Sequence, residues 1–169
     1  MYLDYIRNLY KDTGFGKRTL YIYCLDDKAN NYLMGEFTEV YENGRLKYIV
    51  KYYMDLIERY EHETNMKMHF LPGCSFRHPE RVFYDKMPTF TYNRLIPPSR
   101  KDLPKWLDRV GLKEYDKFEY IRRTYGVTLT DPFFFHESPD AFDFKETIWH
   151  YKALGKMDKY MDKYGIKPI

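Results

Sequence analysis

The dipeptide Asn43-Gly44 constrains this chain more than any other feature. It sits in "ENGR", between two β-prone runs, "NNYLMGEFTEVY" and "LKYIVKYY". A type I′ turn needs positive φ at both central residues, and Asn-Gly accepts that conformation, so the two runs are predicted to form a β-hairpin. On its second arm Leu46, Tyr48, Val50 and Tyr52 alternate and share one face. Gly35, in the first arm, is a candidate bulge.

The segments around the hairpin follow from periodicity and breakers. Leu3, Ile6, Leu9 and Tyr10 fall at helical spacing, and the glycine-rich "TGFGKR" stops that helix. "RTLYIYCL" reads as a strand and "MKMHFL" as another, the latter closed by Pro72-Gly73. "MDLIERYEHET" fits either a short helix or a polar excursion, and "CSFRHPERVFYDKMP" reads as loop. "FTYNRLI" reads as one or two helical turns, which Pro97-Pro98 ends because the residue before a proline avoids the α region. Ser99 and Asp102 have capping-box spacing, though a helix beginning at Asp102 would place Pro104 in its first turn. Leu103, Trp106, Leu107 and Val110 then form a buried stripe that stops at Gly111. Asp116 and Glu119 make a second D-x-x-E start, with Phe118, Ile121 and Tyr125 on one face and Gly126 at the end. "LTDPFFFHESPD" is a turn leading into an apolar extended segment. Ile148, Tyr151, Leu154, Met157 and Met161 predict a C-terminal helix.

Strands early and helices late predict an α+β fold: a small, mostly antiparallel sheet or partial barrel with helices on one side. The expected organisation is an N-terminal helix over 1–17, one α+β domain over 18–137 and a helical extension over 138–169.

Composition narrows the function. The chain has 169 residues, 31% of them charged and 44% hydrophobic, which excludes a disordered chain. No apolar run approaches the ~20 residues that cross a bilayer. "MYLDYIRNLYKDTG" carries charges throughout and does not read as a secretory signal. Two cysteines, Cys24 and Cys74, fit free thiols in a reducing compartment, so a cytoplasmic location is expected. The net charge of +3 is small for a dedicated nucleic-acid binder. The unusual quantity is the aromatic content, 20%, with 19 Tyr and 12 Phe. Such rings suit a small core, a protein interface or a base-stacking surface.

Catalytic signatures do not assemble. "GFGKRT" fails as a phosphate loop, because Lys11 stands where the first glycine belongs and Arg18 where Ser or Thr must follow the lysine. His62, His69, His78, His136 and His150 complete no zinc set with Cys74, so no metal and no cofactor is expected. Cys74 with His69 or His78 is the sole nucleophile–base pairing on offer, and kinase motifs are absent. No catalytic residue is assigned. What remains is the stretch "YNRLIPPSRKDLPKW" and the cations near it. Tyr92, Arg94, Arg100, Lys101, Arg122 and Arg123 are the candidate partner-binding residues, for protein or nucleic acid. Asp102, Asp108, Glu114, Asp116 and Glu119 are interleaved with them, a pattern that reads first as a solvated helix face.

The segment "FTYNRLIPPSRKDLPKWLDRVGLKEYDKFEYIRRTYGVTLTDPFFF" resembles the N-terminal, non-kinase region of HipA-type toxin kinases and their free-standing HipS-like partner. It is also similar to the segment that precedes HIRAN domains in some bacterial proteins. The match runs through Asn93, Arg94, Pro97, Ser99, Arg100, Asp102, Gly111, Leu112, Asp116, Phe118, Gly126, Thr130 and Asp131. "YLMGEF" before the hairpin resembles the "VG-x-L" opening of those proteins. The likeness spans roughly residues 18–136 and is specific over about 83–135. It implies a non-catalytic module, since the family's catalytic residues lie outside the matched region.

The expectation is therefore a regulatory protein of bacterial or phage origin that acts by protein–protein binding, as an antitoxin-like or defence-related factor. Its expected partner is another protein, such as a kinase-like toxin or defence protein, and no membrane is involved. Two alternatives stand beside it: a DNA-associated module related to HIRAN-linked proteins, and an unrecognised, Cys74-dependent enzyme.

Overall fold

A computed structural model describes residues 2–26, 30–128 and 130–140. The expected C-terminal helix lies outside the described residues. The frame is a five-stranded, open, fully antiparallel sheet with helices packed against it. In chain order the elements are α1 (Tyr2–Leu9), β1 (Phe15–Leu25), β2 (Asn31–Glu42), β3 (Arg45–Tyr52), α2 (Met54–Thr64), β4 (Glu80–Tyr84), a 3-10 turn (Thr89–Arg94), α3 (Leu103–Arg109), α4 (Lys117–Thr124) and β5 (Phe133–His136). The strand order is β4-β3-β2-β1-β5.

The hairpin forms as the sequence requires. Asn43 and Gly44 have φ of 52° and 74°, and Glu42 pairs with Arg45 across the turn. That register places Leu46, Tyr48, Val50 and Tyr52 opposite Tyr41, Glu39, Phe37 and Gly35, all on the core face. β1 adds Leu20, Ile22 and Cys24, and β5 adds Phe133 and Phe135. The bulge sits beside Gly35: Ile22 pairs with Gly35 but Tyr23 with Leu33, which leaves Met34 as the extra residue. A Cβ on Gly35 would collide with the Lys51 carbonyl and lie 2.9 Å from Tyr52 Cα, so this crossing of β2 and β3 accepts only glycine.

The helices close the core face. Ile6 of α1, Ile57 of α2, Phe90 of the 3-10 turn, and Phe118 and Ile121 of α4 join one cluster with the strand residues. Phe37 lies at its centre, with ring centroids 5.3–5.9 Å from Tyr48, Phe90, Phe118 and Phe135. α3 forms a satellite cluster in which Leu107 packs with Ile96 and Tyr120, while Leu103, Trp106 and Val110 are half-buried.

Several boundaries differ from expectation. Gly16 does not break the chain but lies within β1, where the Tyr10 ring fills the space a Cβ would take. β1 therefore crosses the expected 17/18 boundary, and α1 belongs to the same core as the sheet. "MKMHFL" is not a strand, and "ERVFY", within the expected loop, is β4. "MDLIERYEHET" resolves as α2. Asp102 occupies the N-cap of α3 without a side-chain capping bond, because its carboxylate is engaged by Arg100 and Trp106. Asp116 does cap α4, accepting from the Glu119 N–H at 3.0 Å. No helix among the described residues is long and apolar enough to cross a membrane.

Candidate functional site

The core face is not wholly apolar. In the row nearest the hairpin turn but one, Arg18, Glu39 and Tyr48 lie side by side across β1, β2 and β3. Strand alternation puts all three inward, where an ion must find a partner. Arg18 donates to Glu39 Oε1 through Nη2 (2.5 Å) and Nε (3.1 Å), and to Asp116 Oδ2 through Nη1 (2.6 Å). Tyr2 of α1 and Tyr48 each donate to Glu39 Oε2, at 2.7 and 3.1 Å, and Tyr5 donates to Asp116 Oδ2 at 2.9 Å. The network thus ties α1, three strands and the N-terminus of α4 together.

Its electrostatics follow from burial. Glu39 is buried, and loss of water raises its carboxyl above the ordinary range, with Arg18 and the Tyr2 hydroxyl acting against that shift. Burial alone would weaken the Arg18 cation, yet Glu39 and Asp116 hold it firmly protonated. The Tyr2 and Tyr48 hydroxyls are pushed up by burial and by the adjacent Glu39 carboxylate, so both remain neutral donors. Lys117, at the start of α4, stacks its ammonium 5.4 Å from the Tyr2 ring centre, and burial lowers its pKa.

Three tyrosines of this network, Tyr2, Tyr5 and Tyr48, also line an open cleft of about 910 Å³. It is lined by Tyr2, Leu3 and Tyr5 of α1, Leu46 and Tyr48 of β3, and Leu95, Pro98 and Leu103. Asp85 and Lys86 border it, as do Glu114 and Lys117, so its charges balance. Tyr115 fixes the wall: its hydroxyl donates to Ile96 O (2.6 Å) and accepts from Ile96 N–H (2.9 Å). Tyr92, 60% exposed, also borders the cleft.

The six candidate residues from the sequence do not gather there. Tyr92 reaches the cleft. Arg94 is interior, with its side chain fully buried, bidentate to Asp131 (2.5 and 3.0 Å) and over the Phe135 ring. It cannot belong to an exposed basic face, because its guanidinium joins the 3-10 turn to the entry of β5. Asn93 makes the parallel link to Thr130 at 3.1 Å. Arg100 pairs with Asp102 beside Trp106. Arg122 pairs with Glu119 and Glu137, and Arg123 shares Glu119 while donating to the Val110 and Gly111 carbonyls at the end of α3. Lys101 is exposed.

The sequence reading missed Arg18, Glu39, Tyr48, Tyr2, Tyr5 and Lys117. One signal was present: once the hairpin register is fixed, Glu39 must share its face with Phe37 and Tyr41. Cys74, the candidate nucleophile, is buried, and burial pushes its thiol up to about 11, which leaves it protonated and weakly nucleophilic near neutrality. Among the described residues no three His, Cys, Asp or Glu side chains are grouped to hold a metal ion.

No protein-family model matches the chain, and comparisons with curated proteins and with solved structures find no match.

Proposed function

We propose that this chain is a non-catalytic regulatory protein that acts by binding another protein, in the manner of HipS-like antitoxins or of phage and defence factors. The docking place is the cleft between α1 and the stretch from Leu95 to Leu103. The observation that carries this reading is the make-up of the cleft: tyrosine and aliphatic walls, a balanced charged border and the exposed Tyr92. Aromatic-rich apolar surface with few uncompensated charges is the composition of interface centres. The occupant is an apolar segment of the partner protein, with its polar flanks at Lys86, Lys117, Asp85 and Glu114. The partner is a cytoplasmic protein, a kinase-like toxin or defence protein in the antitoxin reading.

The test is photo-crosslinking from Tyr92 replaced by benzoylphenylalanine, beside the same group at Lys101, in cells that express the partner. A protein adduct from position 92 and none from position 101 supports the reading. Tyr92→Ala should weaken binding by roughly 30-fold if the ring is an anchor. Equal adducts from both positions, or full affinity in Tyr92→Ala, would count against the cleft.

The DNA-associated reading needs Arg94, Arg100, Lys101, Arg122 and Arg123 on one positive face. Arg94 is interior, and Arg100, Arg122 and Arg123 are each paired with carboxylates, so this reading has less support. A gel shift at two salt concentrations decides it, since phosphate contacts must strengthen as salt falls.

A further inference from the structure

The two edges of the sheet are not alike. The outer edge of β5 is partly covered, because Phe135 N–H donates to the Tyr125 carbonyl at 2.7 Å. β4 is bare: Val82 is 41% and Tyr84 57% exposed, and nothing among the described residues pairs with its outer side apart from a turn bond from Lys86 N–H to the Tyr84 carbonyl.

The hydrogen-bond phase of β4 can be read from its ends. Tyr52 N–H donates to Pro79 O at 2.7 Å and Asp85 N–H to Leu46 O at 2.8 Å. Antiparallel pairs alternate between bonded and non-bonded, so Arg81 and Phe83 turn their backbone groups toward β3. Glu80, Val82 and Tyr84 therefore aim theirs outward, and apart from the Tyr84 carbonyl, which already accepts the turn bond from Lys86, they stand as a template for another strand.

We propose that this edge pairs with β4 of a second copy of the chain, antiparallel and centred on Val82, to make a continuous ten-stranded sheet. Val82 then exchanges two hydrogen bonds with its own symmetry mate, and Glu80 faces Tyr84 of the other copy. Arg81 faces Phe83 of the other copy, a cation over a ring, which repeats the contact these two side chains already make within one chain at 4.9 Å. No like charges are directly opposite, and the two Arg81 residues are diagonal neighbours, each over a ring. The other registers of the same phase are worse. Centring on Arg81 sets two guanidiniums directly opposite each other, which destabilises a pair. Centring on Phe83 keeps only the two Val82–Tyr84 pairs, because Asp85, at φ 63°, turns the chain before Lys86 could pair with Glu80. Short length and flanking charge keep the contact small, so the dimer is weak and reversible. It is independent of the cleft reading.

Sedimentation equilibrium of the full chain tests it: the average mass should rise toward twice that of the monomer over roughly 10 µM to 1 mM. Val82→Pro removes only an outward-facing donor and keeps the β3–β4 ladder, so it should remain monomeric with its melting temperature little changed. The register is tested with cysteines, since Cys24 and Cys74 are both buried. Val82→Cys should form a disulfide dimer at least tenfold faster than Lys101→Cys, because bonded pairs hold Cα atoms ~5.5 Å apart. Glu80→Cys and Tyr84→Cys proteins should cross-link with each other and not with themselves. A constant monomer mass, or Val82→Cys no faster than Lys101→Cys, overturns the proposal and leaves the edge to a strand from another protein.

Discussion

Arg18 and Glu39 face each other across β1 and β2, and their ion pair is built into the core face of the sheet. Glu39 is 2% exposed, and its second oxygen is filled by Tyr2 and Tyr48. Buried pairs of this kind are weak evidence for net stability, but breaking one is costly because the survivor keeps its charge without a counter-ion. Arg18→Met should therefore destabilise the protein by about 3–5 kcal/mol in urea unfolding. The double change Arg18→Met with Glu39→Met should recover part of that loss, and a double variant less stable than Arg18→Met would disprove this account.

The raised Glu39 carboxyl gives a pH signature with a defined sign. The folded state holds this proton more tightly than the unfolded chain, whose ordinary value is 4.5. Its contribution is therefore fully present below 4.5 and is lost as pH rises through the folded-state value. Glu119 and Asp102, both held below their ordinary values, slope the other way, so the comparison must be with Glu39→Gln. Wild type should lose stability relative to Glu39→Gln as pH rises from 4.5 toward neutrality. Urea midpoints across that interval measure it, and parallel curves would refute it.

Two glycines in one sheet should respond differently to the same methyl group. Gly35→Ala meets backbone of β3, which cannot move without opening the ladder, and should cost about 1–3 kcal/mol or more. Gly16→Ala meets the Tyr10 ring first, a side chain that can swing away from its stack on Tyr41. Thermal melts should show the larger loss at Gly35. The reverse order would mean that the Tyr10 stack is stiffer than the β2–β3 crossing.

Burial pushes the Cys24 thiol up to about 12 and Cys74 up to about 11. Both should resist alkylation at pH 8 in the native protein and react fully in urea, with labelling that follows unfolding. Rapid native modification of Cys74 would instead favour the Cys74-dependent enzyme reading.

What was legible in the sequence was local chemistry. Asn43-Gly44 set the hairpin because its conformational demand is met within two residues. Asp116 with Glu119 announced the start of α4 for the same reason. β4 and "MKMHFL" went the other way: both are short β-prone runs, and only the chance to pair with β3 made a strand of "ERVFY". The arginines near "YNRLIPPSRKDLPKW" looked like a binding surface because sequence shows charge but not its partner. Asp131, 37 residues from Arg94, decided that this guanidinium lies inside.

The sequence by itself determined the hairpin, its inward face and the α+β class, since turn geometry and side-chain alternation act over a few residues. Tertiary structure alone decided that Arg18, Glu39, Asp116 and two tyrosines of α1 converge in one hydrogen-bonded network. A buried charge is tolerable only where distant segments bring its counter-charge and its donors, and that meeting exists only once the sheet and its helices have closed together.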